Sequence, residues 1–154
     1  MNFELDETQI AVKETFRKFV EEKVRPAASR IDEFKEYPLD LFREVGKLGF
    51  FGMRYPEEAG GTGLDIISYC MALQELARGS LSLAAVCMMQ SLMGTYFIYR
   101  DGDAKVKKEF FAPALEGKKI GGICMTEPNA GSDLRGITTM TKVYEDHFVL
   151  QVHH

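Results

Sequence analysis

Along the first two-thirds of the chain, apolar positions recur every three or four residues, the period of a helix with one buried face. Asp6, followed three residues later by Gln9, has the form of a capping box. Ile10, Phe16, Phe19, Val20 and Val24 follow at helical spacing, with charges between them. Pro26 is expected to close that helix or open the next, over 27–34. Pro38 starts another, in which Leu39, Phe42, Val45 and Leu48 form a stripe and Gly49 suits the C-terminal turn. Residues 54–64 are a loop by composition. Asp65 is a good N-cap for a helix over 66–77, apolar on most sides and therefore expected to be central. Gly79 breaks it. Residues 80–99 carry no charge and predict a second buried helix. Asp103 caps a helix over 104–111, and Gly117 ends a short following turn.

The pattern then changes. Residues 120–125 are a strand candidate, rich in glycine and apolar side chains. Residues 138–144 and 148–152 are two more, with Glu145-Asp146 as the turn of a hairpin. The fold class is mainly α: an all-helical N-terminal domain over 1–117, followed by the first strands of a β domain over 118–154.

Composition narrows the reading. Of 154 residues, 45% are apolar and 27% charged, the balance of a globular protein able to bury a core without staples. A formal net charge of −4 offers no basic footprint for nucleic acid. The short run Lys105-Val106-Lys107-Lys108 reads as a solvated helix face. Cys70, Cys87 and Cys124 are odd in number, form no CxxC and sit in apolar stretches. That pattern predicts reduced, buried thiols in a cytoplasmic-type compartment. His147, His153 and His154 lie near the C-terminus, and the pair at the very end has no cysteine or carboxylate at ligand spacing, so no metal site is expected. The acidic start, from Met1 to Glu7, is neither a secretory signal nor a transit peptide. The uncharged stretch 80–99 is long enough for a bilayer, but Ser80, Ser82, Gln90, Ser91, Gly94 and Thr95 lower its tendency to insert. No membrane span is expected.

The stretch most loaded with chemistry is Ile123-Cys124-Met125-Thr126-Glu127-Pro128-Asn129-Ala130-Gly131-Ser132-Asp133-Leu134. Pro128 fixes one dihedral and removes a donor. Gly131 is expected to permit a turn that a side chain would block. Thr126 and Ser132 add small hydroxyls. A strand that opens into such a turn presents N–H groups and hydroxyls to an anion or to the edge of a heterocycle. The physics alone suggests a nucleotide site, but a tight turn with a capping serine is the more economical reading of these residues taken by themselves.

The wording T-E-P-x-A-G-S-D resembles the flavin-binding signature of the acyl-CoA dehydrogenases. The resemblance extends upstream, in order. Leu48-Gly49-Phe50-Phe51-Gly52 is similar to the family's L-G-hydrophobic-x-G element. The run from Pro56 to Asp65 is similar to its P-E-x-x-G-G-x-G loop. Glu75-Leu76-Ala77-Arg78 resembles its E-x-[LI]-A-[RK] helix end, and Leu115-Glu116-Gly117 precedes the signature as in the family. Family members continue past the point where this chain ends, through the rest of the β domain and a C-terminal four-helix bundle. The chain covers less than half of an ordinary member.

The resemblance implies FAD as cofactor and α,β-dehydrogenation of an acyl-CoA thioester, with an electron-transfer flavoprotein or similar acceptor and a homo-oligomeric assembly. It implies that Ile123, Cys124, Met125 and Thr126 line the isoalloxazine, that Gly131 and Ser132 meet the pyrophosphate, and that Ser132 also lies near the thioester. It places the catalytic base outside this chain. No catalytic residue is therefore expected here, and Glu127 is read as a structural acceptor rather than a base. Leu92, Met93, Tyr96 and Phe97 are candidate walls of the acyl pocket, though such stripes are more often core. The absence of arginine from 80–99 favours an uncharged acyl chain. Tyr55 and the loop near Gly60 are expected to shape a turn. The expected location is cytoplasmic, or the mitochondrial matrix in a eukaryote. Alternatives are an acyl-CoA oxidase or flavin monooxygenase, which share the front half, and a non-enzymatic helical module. The chain by itself is expected to be inactive.

Overall fold

The computed structural model describes residues 4–34 and 37–152, and of Phe34 the backbone only. Met1–Phe3, His153 and His154 therefore lie outside the described residues. The chain divides into two compact units, 1–122 and 123–154.

The helical unit begins with α1 (Glu7–Phe19). Asp6 Oδ1 accepts from the Gln9 N–H at 2.8 Å, and Gln9 Oε1 accepts from the Asp6 N–H at 3.1 Å, so the expected capping box is present. Gln9 is also buried where Ile10 is 48% exposed. The buried amide has a partner: Gln9 Nε2 donates to Asp65 Oδ2 at 2.9 Å. The helix does not stop before Pro26. A π-helical turn (Val20–Val24) runs directly into α2 (Arg25–Phe34). The wider turn accommodates a residue that has no N–H and whose ring crowds the preceding turn.

Next come α3 (Leu39–Lys47), short 3₁₀ turns at Phe50–Gly52 and Glu57–Ala59, and α4 (Ile66–Gly79). Gly49 takes the left-handed conformation at φ 82° that ends α3. In the stripe of α3, Phe42 and Val45 are fully buried, but Leu48 is exposed because it already lies beyond the last helical turn. Asp65 caps α4 by accepting from the Ser68 N–H at 2.7 Å. One face of α4 is buried, through Tyr69, Ala72 and Leu76, whereas Ile66 and Ile67 face outward. The helix is thus one-sided rather than fully enclosed.

Ser80 caps α5 (Leu81–Met89), which passes through a second π turn (Gln90–Gly94) into α6 (Tyr96–Asp101). By length and composition alone, Leu81–Asp101 could cross a membrane. Only one of its faces is buried. That face holds Leu83, Ala84 and Cys87 together with Gln90, Ser91 and Thr95, while Leu81, Met89, Met93, Tyr96 and Phe97 are exposed. Asp103 caps α7 (Ala104–Val106), which continues through a third π turn (Lys107–Phe111) into α8 (Ala112–Leu115).

Aromatic side chains organise the core. Phe50 meets Phe16 edge-on at 5.7 Å and stacks on Tyr69 at 5.0 Å, while Phe42 lies 4.6 Å from Phe51. These contacts join α1, α3, α4 and the 3₁₀ turn, and each fully buried phenyl ring contributes about 1.5–3 kcal/mol. Of the cysteines, only Cys87 is buried. Cys70 and Cys124 are exposed, against expectation. An apolar neighbourhood in sequence did not place Cys70 inside, because the buried stripe of α4 runs through 69, 72 and 76.

In the second unit, β1 (Met140–Val143) pairs antiparallel with β2 (Phe148–Gln151), Val143 opposite Phe148. This is the expected hairpin. The strand expected over 120–125 is absent. The stretch has no regular secondary structure and no strand beside it, and a segment without a partner has no ladder to make it a strand. Among the described residues no cluster of His, Cys, Asp and Glu could hold a metal.

Candidate flavin-contacting loop

Within the second unit the loop is built around one tight turn. The Ala130 N–H donates to Glu127 O at 3.1 Å, and the Glu127 N–H to Ala130 O at 3.0 Å. This is a four-residue turn with Pro128 at its second position, where the ring pre-sets the backbone. The turn is locked from the far side as well, because a Cβ on Gly136 would strike the carbonyl of Asn129. Sequence reasoning passed over Gly136, since nothing local marks a contact formed seven residues away.

Glu127 is the anchor. Its Oε2 accepts from the Thr138 N–H at 2.6 Å and from Thr138 Oγ1 at 2.7 Å, and its Oε1 from the Thr139 N–H at 2.9 Å. The Thr139 side chain, then the backbone and hydroxyl of Thr138, hold its carboxyl at about 2, far below the usual value. A carboxylate so fully engaged is a poor proton acceptor at neutral pH. The structure assigns Glu127 the acceptor role expected of it. Asp133 is likewise structural: it accepts from the Arg135 N–H at 3.1 Å and pairs with the guanidinium at 2.9 Å, capping the 3₁₀ turn Leu134–Gly136.

The turn leaves the expected site residues on its two flanks. Ile123 is half-buried, and Cys124, Met125, Thr126, Gly131 and Ser132 are exposed. Gly131 does not make the turn. Its φ is not in the left-handed region, and a Cβ there would meet nothing within 4 Å. Pro128 and Asn129 do the turning, and Gly131 borders open space. Among the described residues, Cys124, Met125, Gly131 and Ser132 make no hydrogen bond to the rest of the chain. A bare backbone with a free hydroxyl and no side chain in the way is the donor set an anionic ligand needs.

Other residues weighed from the sequence fall elsewhere. Tyr55 is buried, and its hydroxyl is used by Thr95 Oγ1 at 2.8 Å and Ser91 O at 3.2 Å, so it shapes the loop. Leu92 is half-buried, but Met93, Tyr96 and Phe97 lie on an open helix face rather than around a closed pocket. The helix also runs two residues past 99, so it does contain an arginine. Arg100 lies over the rings of Tyr96 and Phe97 and pairs with Asp101 at 2.7 Å.

The sequence model of the acyl-CoA dehydrogenase N-terminal domain matches residues 6–118. The chain belongs to the acyl-CoA dehydrogenase family. It is 54% identical over 144 residues to benzylmalonyl-CoA dehydrogenase of Aromatoleum aromaticum, covering 93% of this chain and 38% of that one. It superposes on butyryl-CoA dehydrogenase from Megasphaera elsdenii with a TM-score of 0.86 at 31% identity, covering 95% of this chain and 39% of that one. With a glutaryl-CoA dehydrogenase from Mycobacterium smegmatis in complex with FADH2 the TM-score is 0.88 at 29% identity, over 95% of this chain and 38% of that one. The chain thus spans about two-fifths of the length of the curated relatives it matches.

Proposed function

We propose that this chain is the FAD-contacting front portion of an acyl-CoA dehydrogenase. Ile123, Cys124, Met125 and Thr126 would border the isoalloxazine, while Gly131 and Ser132 would receive the pyrophosphate through N–H groups and a hydroxyl. Ser132 would also approach the thioester. The observation that carries this reading is the open space beside Gly131, flanked by polar groups with no partner in the chain. FAD, when bound, supplies the two-electron acceptor for α,β-dehydrogenation of the acyl-CoA. The chain's own part is to bind and orient. It offers no free base at the loop: Glu127 is held ionised by its hydrogen bonds, and Asp133 is paired with the Arg135 guanidinium at 2.9 Å.

Turnover, the proton-accepting group, the electron-transfer flavoprotein and the homo-oligomer belong to the whole enzyme in this reading, and the chain alone is inactive. The 54% identity to a benzylmalonyl-CoA dehydrogenase supports a substituted, carboxylate-bearing acyl group as substrate. The lack of arginine in 80–99 no longer argues against it, because the helix extends to include Arg100.

The test is an absorbance scan of the purified chain followed by titration with FAD. A bound-flavin spectrum is expected. Its absence with FAD in large excess would overturn the reading. Bleaching of that spectrum by benzylmalonyl-CoA without electron acceptor would overturn the claim that the chain alone is inactive.

A further inference from the structure

Gln90 is 1% exposed. Burying a primary amide is costly unless it is satisfied, and a leucine or methionine would fill the same volume without that cost. Its hydrogen bonds explain its presence. Nε2 donates to Ala114 O at 3.0 Å and to Lys119 O at 2.9 Å, and Oε1 accepts from the Gly121 N–H at 2.7 Å. One amide hydrogen thus reaches the end of α8. The other, with the carbonyl oxygen, grips a segment that has no regular secondary structure.

The segment is pinned a second way. Gly94, at the other end of the same π turn, lies so close to Gly121 that a Cβ on Gly94 would stand 2.5 Å from the Gly121 carbonyl oxygen. Gly122, one residue further, has open space around it. The π turn itself is braced. Thr95 Oγ1 donates to Gln90 O at 3.0 Å and contacts the Tyr55 hydroxyl, while the Tyr69 hydroxyl meets Ser91 Oγ at 2.7 Å. Gln90 therefore sits on a rigid base and supplies the backbone partners that a helix or strand would otherwise give to 119–121.

We infer that Gln90 is a positioning residue for the flavin-contacting loop. By fixing Lys119 and Gly121 it sets the course of the last residues of the helical unit, which end two residues before Ile123 in the chain. This rests on the FAD reading above.

The experiment compares the unsubstituted chain with Gln90→Met, which keeps the volume and loses all three bonds. Gln90→Glu keeps the acceptor for Gly121 and loses both donors. Val24→Ala, in the core far along the chain, serves as a control for general destabilisation. Each is titrated with FAD and digested briefly with trypsin, followed at the bond after Lys119. Gln90→Met is expected to retain helical circular dichroism, to lose about tenfold or more in FAD affinity, and to be cut faster after Lys119. Gln90→Glu should fall between it and the unsubstituted chain. Val24→Ala should change neither readout per folded molecule. Unaltered FAD affinity in Gln90→Met would overturn the inference, as would an equal effect in Val24→Ala. Should the unsubstituted chain take up no FAD, it is the flavin reading that falls. The clamp is then decided by cleavage alone, and equal rates after Lys119 in the unsubstituted chain and Gln90→Met would overturn it.

Discussion

At the scale of single residues, Glu127 and Gln90 show how a polar side chain can stand in for missing secondary structure. Neither is a charge in water. Each supplies hydrogen bonds to backbone groups that no ladder satisfies. For Glu127 this has a pH signature. Its folded-state pKa is depressed to about 2 from an ordinary value of 4.5. The loop's stabilisation is therefore fully present above about pH 4.5 and is lost as pH falls toward 2. Amide exchange at Thr138 and Thr139 is expected to accelerate relative to the helical unit across that window. Glu127→Gln should show weaker protection at neutral pH and little change on acidification. Identical pH profiles for the two chains would contradict the assignment. Glycines divide the same way. Gly94, Gly121 and Gly136 are required by close backbone approaches, whereas Gly131, the one the motif emphasises, is unhindered.

At the scale of elements, the helix end Glu75-Leu76-Ala77-Arg78 has a mechanical meaning. Glu75 is 3% exposed and accepts from Arg17 at 3.3 Å and from Arg78 at 2.9 Å; Arg78 also pairs with Glu21 at 2.7 Å. The network bolts α1 and the first π turn to α4. Glu75→Gln removes the charge that both guanidinium groups share, and is expected to lower stability by about 1–2 kcal/mol, the scale of a charged hydrogen bond. Urea denaturation with an unchanged slope would register it. No shift in midpoint would mean that apolar packing alone holds the two helices. The three π turns follow from the same logic. A π turn leaves a carbonyl without its usual partner, and in one of the three the hydroxyl of Thr95 takes up the carbonyl of Gln90.

At the scale of the whole molecule, the two units differ in kind. The helical unit has a contiguous aromatic and aliphatic core. The hairpin of the second unit has none, and Val143, Phe148 and Leu150 share an open face at 72%, 71% and 60% exposure. Exposed apolar strand faces promote association. Val143→Lys with Phe148→Glu keeps a complementary cross-strand pair while removing that surface. The doubly substituted chain is expected to scatter less light with rising concentration than the unsubstituted one. Equal scattering would place the adhesive surface elsewhere, with the exposed face of Leu81–Asp101 the next to change.

The capping residues Asp6, Asp65 and Asp103, the helix order, the hairpin at Glu145-Asp146 and the family were all legible in the sequence. They depend on neighbours within a few residues or on whole motifs. Tertiary structure decided the rest. The side of α4 on which Cys70 falls, the burial of Gln9 in place of Ile10, the unpaired state of 120–125 and the openness beside Gly131 each depend on contacts between residues far apart in the chain. Local periodicity constrains the shape of an element. Which carbonyl an amide meets, and whether a strand finds a partner, is determined only when the elements are packed.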